Sequence, residues 1–344
     1  MFTFTARRSR AAAAVVATAA VLAGCGGSGA GDVLGGGGAK DADVKLNLIA
    51  CSVAEPGWSE IIPAFTATPA GKGVAITTSY GASGDQSRAV LDGKAADIVN
   101  LSVEPDITRL VKANKIAADW NADVTKGVPF GSVVTLVVRR GNPKNIRGWD
   151  DLLKPGIEVV TPSPLSSGSA KWNLLAPYTV KSDGGRDQAA GLGFITKMVS
   201  EHIRTRPGSG REAGDVFLRG TGDVLISSES EAINIERSGG EVEHVNPEQT
   251  FKIENPVAVV ITGAHLDKAT ALKNFLFTPE GQEIWARAGF RPVDPAVVGE
   301  FANDFPEPAK LWTIADLGGW KAADSALFDK ENGAITGAYK KAIG

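Results

Sequence analysis

The chain has 344 residues, a length that suits two domains better than one small module. Hydrophobic residues make up 43% and charged residues 22%, as in soluble globular proteins, so a disordered chain and a polytopic membrane protein are disfavoured. The 36 Lys and Arg against 39 Asp and Glu give a formal charge of -3, which excludes a broad basic surface for nucleic acid.

The first residues have the pattern of an export signal. Three arginines within residues 7–10 precede an apolar run at residues 11–22, which is too short to span a bilayer as a helix. The run ends in Leu-Ala-Gly-Cys at Cys25, a sequence that resembles the bacterial lipobox, in which the cysteine is acylated. We predict a lipoprotein signal peptide at residues 1–24 and a lipid on Cys25. The alternative is an ordinary signal peptide with a chance cysteine.

The segment after the signal is rich in glycine, and residues 25–42 are predicted to be the lipidated cysteine and a flexible tether. About fifteen residues of this composition have an r.m.s. span of about 20 Å. Cys51 lies in a strand-like run, which favours a buried, inert thiol over a nucleophile.

Strand-length apolar runs alternate with amphipathic helical patterns from residue 44 onward. The first series comprises residues 44–53, 58–65, 74–80, 86–91, 97–102 and 105–113. The second series comprises residues 157–161, 172–178, 192–203, 216–218, 223–227 and 232–237. This alternation predicts βαβ units and a mainly parallel sheet in each of two α/β lobes.

Two β-rich runs, at residues 132–139 and 257–262, bracket the second series and are predicted to cross between the lobes. Helical patterns at residues 269–277 and 279–288 would then return to the first lobe. The predicted lobes are residues 43–133 plus 262–344, and residues 134–261. Two lobes joined by crossing strands form a cleft that can close on a ligand.

The parts that an enzyme needs are missing from the sequence. Residues 81–84 lack the spacing of the G-x-S-x-G elbow, and no Walker A motif exists. Residues 220–225 begin like a dinucleotide fingerprint but lack its third glycine and precede a strand. The three histidines are far apart, so neither a metal site nor a cofactor is predicted.

Ser and Gly residues occur where predicted strands give way to helices. Ser83 follows the strand at residues 74–80, residues 166–169 follow the strand at 157–161, and Ser52 closes the first strand. Helix N-termini present unpaired N–H groups, and Ser or Gly lets an anion come close. These segments predict an oxyanion cradle without cationic side chains, although each serine taken alone could simply be an N-cap.

Several motifs resemble those of the prokaryotic sulfate-binding proteins. They are Tyr-Gly-Ala-Ser-Gly-Asp-Gln at 80–86, Arg-Gly-Asn-Pro-Lys at 140–144, Trp-Asp-Asp-Leu at 149–152, Lys-Pro-Gly at 154–156, Ser-Ser-Gly-Ser-Ala-Lys-Trp-Asn at 166–173, Gly-Asp-Val-Leu-Ile at 222–226, Pro-Glu-Gly-Gln-Glu at 279–283 and Phe-Arg-Pro at 290–292. The resemblance runs in order from about Lys45 to Trp320. With the lipobox and tether, it is nearest to the lipoprotein of the mycobacterial sulfate importer.

The resemblance implies a type II periplasmic-binding fold that holds a bare sulfate between its lobes. The implied ligand groups are the hydroxyl and amide of Ser83, the hydroxyl of Ser167, the amides of Gly168 and Ser169, the backbone N–H of Ser52, an amide at or near Ser209, and a group at Ser228. Ser52 falls where the family usually has an aspartate. Ser228 falls where the family has a tryptophan whose indole N–H is a donor, so Ser228 would replace it directly or through a water.

Acidic residues near these positions bear on selectivity. Asp85 stands where family members often have a lysine. A carboxylate pointing into the cleft would repel sulfate and accept from a protonated oxyanion, whereas a carboxylate in the first helical turn can face solvent. The solvent-facing orientation is favoured for Asp85, and for Glu229 and Glu231 as well.

The sequence as a whole predicts an extracytoplasmic, lipid-anchored, monomeric receptor on the cell membrane. It would bind sulfate and deliver it to the permease subunits of an ABC importer, without enzymatic activity and without binding nucleic acid. One alternative is a receptor for thiosulfate, molybdate or phosphate on the same scaffold. Another is an anchored hydrolase with Ser83 or Ser167 as nucleophile.

Overall fold

The computed structural model describes residues 33–34 and 43–343. The predicted signal peptide, Cys25 with its lipid and most of the tether lie outside the described residues. Within the tether segment, Val33–Leu34 form a short strand, β1, which pairs antiparallel with residues 76–77. No helix in the described ranges is both long and apolar enough to cross a membrane.

The first part of the described chain alternates strands and helices, as predicted. Its elements are β2 (Val44–Cys51), α1 (Glu55–Ala67), β3 (Val74–Gly81), α2 (Ser83–Leu91), β4 (Ile98–Asn100), α3 (Glu104–Lys112) and β5 (Phe130–Arg139). β2 runs parallel to both β3 and β4, with Leu46 beside Ile76 and Leu48 beside Ile98. Helices cover these parallel strands, which explains their nearly continuous apolar sequences.

The middle of the chain forms a second α/β region. Its elements are β6 (Val159–Val160), α4 (Gly168–Lys181), α5 (Gln188–Lys197), α6 (Gly210–Leu218), β7 (Val224–Ser228), α7 (Glu229–Arg237), β8 (Val242–Val245) and β9 (Gln249–Glu254). The next strand along the chain is β10 (Val257–Val259). The helix predicted at residues 192–203 corresponds to α5 and a π-helical turn at Met198–His202 that follows it.

The last part of the chain contains α8 (Leu266–Phe275), α9 (Pro279–Arg287), β11 (Arg291–Pro292), α10 (Pro295–Glu300), β12 (Lys310–Trp312), α11 (Gly319–Ala323) and α12 (Ala334–Ile343). α9 begins as its sequence dictates, because Thr278 accepts from the Gly281 N–H and Pro279 fills the first helical position.

The strands form two sheets. The first sheet has the order β1-β3-β2-β4-β10, and the second has the order β12-β9-β5-β7-β6, with β8 and β11 also paired to β5. β5 carries the chain into the second sheet, close to the predicted crossing at residues 132–139. The return differs from the strand predicted at residues 257–262, because β9 ends at Glu254 and β10 already belongs to the first sheet and ends at Val259.

Each sheet is packed into its own hydrophobic core. Trp58, Phe65 and Trp285 belong to the core of the first sheet, and Trp172 and Phe251 belong to that of the second. α8 and α9 contribute to the first core, as predicted for the returning chain.

The end of the chain packs differently from the predicted assignment of residues 262–344 as a whole to the first lobe. Trp312, Trp320 and Tyr339 are buried in the core of the second sheet, and β12 pairs with β9. The reason is long-range packing: α12 and its apolar face cover α5 of the second region. No local sequence pattern predicts that α12 packs against α5.

Cys51 is the buried thiol that the sequence predicts. It is 2% exposed at the end of β2, and burial raises the pKa of the thiol to about 11. A thiol with so high a pKa is protonated at neutral pH, which makes it a poor nucleophile.

Candidate anion-binding site

Helix N-termini from both regions meet around one small cavity. The cavity is lined by Val53, Ser169, Gly210, Ser227, Ser228 and Asn255, among others. These residues lie at the starts of helices or at the carboxyl ends of strands. The first amides of a helix have no intrahelical acceptor and carry the positive end of the helix dipole, so the arrangement suits an anion.

Ser83 begins α2 and is buried. Its Oγ accepts from the Ser102 N–H (2.9 Å) and donates to Asp106 Oδ2 (2.6 Å). Arg109 holds the other oxygen of Asp106 at 2.8 Å. The single hydroxyl hydrogen of Ser83 is therefore used inside the protein, and its donation to an anion would require the bond to Asp106 to be exchanged.

Gly168 begins α4 and brings this helix against α2. A Cβ on Gly168 would lie 2.7 Å from Ser102 Cβ and 3.2 Å from Ser83 Cβ, so only glycine permits the approach. Ser167 occupies the N-cap position, but its side chain makes no capping bond. The amides of Gly168 and Ser169 are in the first turn and have no acceptor within the helix.

Ser209 and Ser228 are N-caps, as the simpler interpretation of such serines predicts. Ser209 Oγ accepts from the Glu212 N–H, and Ser228 Oγ accepts from the Glu231 N–H, both at 3.2 Å. A capping hydroxyl accepts one bond and keeps its hydrogen, so capping and donation to an anion are compatible. In Ser228 that oxygen also lies 3.0 Å from Ser230 Oγ.

Ser52 starts a 3-10 helix, Ser52–Ala54, directly after β2 and is buried. The next residue, Val53, faces the start of α6: a Cβ on Gly210 would lie 2.8 Å from Val53 Cγ1 and 3.2 Å from Ser169 Oγ. The structure thus brings Ser83 against Gly168, and Val53, Ser169 and Gly210 against one another. Ser228 lines the same cavity as Val53, Ser169 and Gly210.

The sequence reasoning missed Ser102 and Asp106. Ser102 donates its N–H to Ser83 Oγ, and its carbonyl accepts from Trp172 Nε1 (2.7 Å) and Asn255 Nδ2 (3.3 Å). Asp106 is 3% exposed and orients the Ser83 hydroxyl. In the sequence, Ser102 is recognisable only as a residue at a strand end and Asp106 only as an acid in the first turn of a helix. Many other residues have these properties, so neither one singles out a site.

The acidic residues fall into two groups. Asp85 faces solvent as favoured, with a side chain that is 60% exposed and pairs with Arg88. Glu229 and Glu231 are instead 1% exposed, which corrects the expectation that they face solvent. Each lies within ion-pair distance of an arginine from elsewhere in the fold, which a local pattern could not reveal.

The charge of Glu229 is balanced by Arg291, whose Nε and Nη2 donate to the two carboxylate oxygens at 2.7 and 3.0 Å. Glu231 lies 3.4 Å from Arg211, and burial raises the pKa of its carboxyl to about 7. None of the residues that line the small cavity in the described part of the chain is charged.

The described residues contain no cluster of His, Cys, Asp and Glu suited to a metal ion. Two of the histidines are engaged elsewhere: His202 Nδ1 bonds to the Ile157 carbonyl and His244 Nδ1 to Glu236, both at 2.9 Å. The partner of Ser83 is a carboxylate, so the pairing of a serine with a histidine base is not seen there.

Comparison with known proteins gives a consistent result. The family model for bacterial extracellular solute-binding proteins matches residues 46–291. A sulfate-binding protein from Synechococcus elongatus is 38% identical over 96% of this chain and 98% of its own. The sulfate-binding protein SubI from Mycobacterium tuberculosis H37Rv, a solved structure, is 67% identical over 83% of this chain and 100% of its own, with a TM-score of 0.82.

More distant relatives mark the limits of this likeness. A thiosulfate-binding protein from Pseudomonas aeruginosa is 31% identical over 85% of this chain and 91% of its own. A periplasmic thiamin binding protein, at 16% identity, 89% coverage of this chain, 98% of its own and a TM-score of 0.68, shares the fold alone. The predicted type II periplasmic-binding fold is thereby confirmed.

Proposed function

Because the chain belongs to the bacterial extracellular solute-binding proteins, and within them to the sulfate-binding proteins, we propose that it is an extracytoplasmic receptor that binds sulfate and delivers it to an ABC importer. The observation that carries this proposal is the meeting of α2 and α4, whose first turns touch through Gly168 and Ser83. The starts of α6 and α7 face the adjoining cavity.

Neutral donors can hold a dianion if enough of them are fixed in place. Sulfate at neutral pH has no proton and accepts from every donor, whereas the hydroxyl of protonated phosphate needs an acceptor. Hydrogen bonds to a charged group contribute about 1.5–3 kcal/mol each, and micromolar binding needs about 8 kcal/mol net. Several such bonds are enough, even after the cost of desolvating the ion.

The proposed ligand groups remain those expected from the sequence, with one adjustment. We assign to the anion the amides of Ser52, Ser83, Gly168, Ser169 and Ser209 and the hydroxyls of Ser167 and Ser228. Since the Ser83 hydroxyl donates to Asp106, its amide is the primary donor of that residue.

Contacts between the two regions support delivery by closure. The Gly84 N–H donates to the Ser166 carbonyl (3.1 Å), and Trp172 Nε1 donates to the Ser102 carbonyl (2.7 Å). Both bonds join the first region to the second beside the site. An anion that binds both halves favours this closed state, which a permease can distinguish from an open one.

The remaining parts of the proposal concern anchoring and chemistry. We propose that Cys25 carries a lipid, that the protein acts as a monomer at the outer face of the cell membrane, and that it performs no catalysis. The Leu-Ala-Gly-Cys sequence supports the first of these. The carboxylate partner of Ser83 and the transporter relatives support the last.

Thiosulfate is the second candidate ligand, because two relatives at 31% and 34% identity are thiosulfate-binding proteins. Calorimetric titration of the protein with sulfate, thiosulfate, molybdate and phosphate at pH 6 and pH 8 separates the candidates. We expect saturable sulfate binding with a micromolar or lower Kd at both pH values. Preferential binding of phosphate, or no binding of sulfate, would overturn the proposal.

The Gly168→Ala variant tests whether the contact between α2 and α4 forms the site. Its Cβ would lie 2.7 Å from Ser102 Cβ and 3.2 Å from Ser83 Cβ and would push the start of α4 away from both residues, so we expect sulfate affinity to fall at least about tenfold. Gly193→Ala, in α5, is the matched control, since nothing lies within 4 Å of its added Cβ. Equal sulfate affinity in the two variants would contradict the proposed geometry.

A further inference from the structure

Arg291 belongs to the Phe-Arg-Pro motif, and its mostly buried guanidinium is engaged on both sides. Its side chain is 12% exposed, and Nε and Nη2 grip the two oxygens of Glu229 at 2.7 and 3.0 Å. Asn246 Nδ2 donates to the same carboxylate at 2.7 Å. This is a planar fork of the kind that arginine forms and lysine cannot.

The other side of the guanidinium is fixed to parts of the chain outside α7. Nη1 donates to Glu307 Oε1 and Nη2 to the Pro306 carbonyl, both at 2.9 Å. The Arg291 backbone pairs with Gly131 of β5. The position of the guanidinium is thus set by the strand that joins the two sheets and by the segment after α10.

Glu229 transmits that position to the candidate site. It is the first residue of α7 and directly follows Ser228. The Ser230 N–H donates to Ser132 Oγ of β5 at 3.1 Å, so the same turn is anchored to this strand a second time. The start of α7, with Ser228 in the cavity wall, is held against β5 and β11.

We propose that Arg291 is a positioning residue for anion binding. Its fork on Glu229 fixes the first turn of α7 and, with it, Ser228 in the cavity wall. It also neutralises a buried negative charge next to a site that must accept a dianion. This inference rests on the proposed anion site, but Arg291 itself is assigned no contact with the ligand.

Loss of Arg291 would leave the Glu229 carboxylate buried and unpaired, and it would free the turn that carries Ser228. We therefore expect Arg291→Gln to weaken sulfate binding about tenfold or more, with the unfolding midpoint measured in parallel. In the double variant with Glu229→Gln the buried charge is gone but the fork is still missing, so only part of the lost affinity should return. A purely structural arginine would lower the unfolding midpoint and leave the Kd of the folded protein unchanged.

The experiment is a calorimetric double-mutant cycle with sulfate on the wild type, Arg291→Gln, Glu229→Gln and the double variant. Arg287→Gln is the matched control, because that arginine is exposed and pairs with Glu283 on its own helix. Its sulfate affinity should equal that of the wild type.

The outcomes separate the inference from the proposed function. A wild type that does not bind sulfate overturns the proposed function, whatever the variants do. A wild type that binds, together with a folded Arg291→Gln of equal Kd, overturns the positioning role alone. If Arg291→Gln fails to fold, Arg291→Lys decides: it keeps the charge without the fork, and a wild-type Kd in that variant would equally overturn the role.

Discussion

Small residues and buried acids together shape the candidate site. Gly168 and Gly210 let backbone amides from different helices approach at distances that any side chain would prevent. Near these helix starts, the buried carboxylates of Glu229 and Asp106 are paired with arginines. The anion would therefore meet uncharged donors, while these two acids are balanced within the protein.

Glu231 makes the stability of the fold depend on pH. Burial raises the pKa of its carboxyl from 4.5 to about 7; Arg211 lowers this pKa, and Asp215 and Glu55 raise it. The native state thus holds a proton that the unfolded chain releases. The stabilisation is complete below about pH 4.5 and is lost as pH rises through about 7, a difference on the order of 3 kcal/mol at most.

Urea unfolding at pH 5 and pH 8 measures this contribution. We expect Glu231→Gln to reduce the fall in stability between the two values, because its side chain does not titrate. Glu280→Gln, at an exposed position in α9, should leave the fall as in the wild type. A Glu231→Gln variant with the wild-type pH dependence would show that this carboxyl is already ionised at pH 5.

The elements of the chain serve two separate cores, and α12 shows this most clearly. Tyr339 is fully buried in the core of the second sheet, with the Arg206 guanidinium 5.4 Å from its ring centre. Helices α8 and α9, which precede it by only some tens of residues, complete the first core. The C-terminal part of the chain thus stabilises both regions rather than one.

Tyr339→Ala tests this division. Removing a buried aromatic side chain costs about 3–5 kcal/mol, so the urea midpoint should fall strongly. Lys341→Ala, two residues later and exposed, should keep the wild-type midpoint. A midpoint unchanged by Tyr339→Ala would show that α12 does not contribute to the second core.

Among the hydrogen bonds that join the two regions beside the site, one is made by an indole N–H. Trp172 reaches from α4 to the Ser102 carbonyl, whereas Trp149 bonds to the Gln249 carbonyl inside the second region, at 2.7 and 2.8 Å respectively. The two indoles make similar bonds in different places. They provide a matched pair for separating closure from stability.

Trp172→Phe should weaken sulfate binding about twofold to tenfold, since one hydrogen bond between the two regions contributes about 0.5–1.5 kcal/mol. Trp149→Phe should lower stability by a similar amount and leave sulfate affinity unchanged. Calorimetry with sulfate and urea unfolding of both variants check this. Equal losses of affinity would show that the Trp172 bond is not specific to the closed state.

Local sequence patterns predicted many of the strands and helices and part of the candidate site. The alternation of apolar runs fixed the strands β2 to β4 and the helices between them, because period and length are local properties. The Ser and Gly residues at strand ends identified the helix starts at Ser83 and Gly168, since those residue types suit the first turn of a helix. The resemblance to sulfate-binding proteins came from the same segments.

Only the tertiary structure decided which groups oppose one another. The Ser83 hydroxyl donates to Asp106, 23 positions away, and Glu229 pairs with Arg291, 62 positions away. Tyr339 packs into the second core against residues more than 100 positions away. Side-chain partners across such separations follow from how sheets and helices pack, so short-range periodicity does not predict them. The sequence determined the kinds of donor available to the anion, and the packing determined which of those donors remain free.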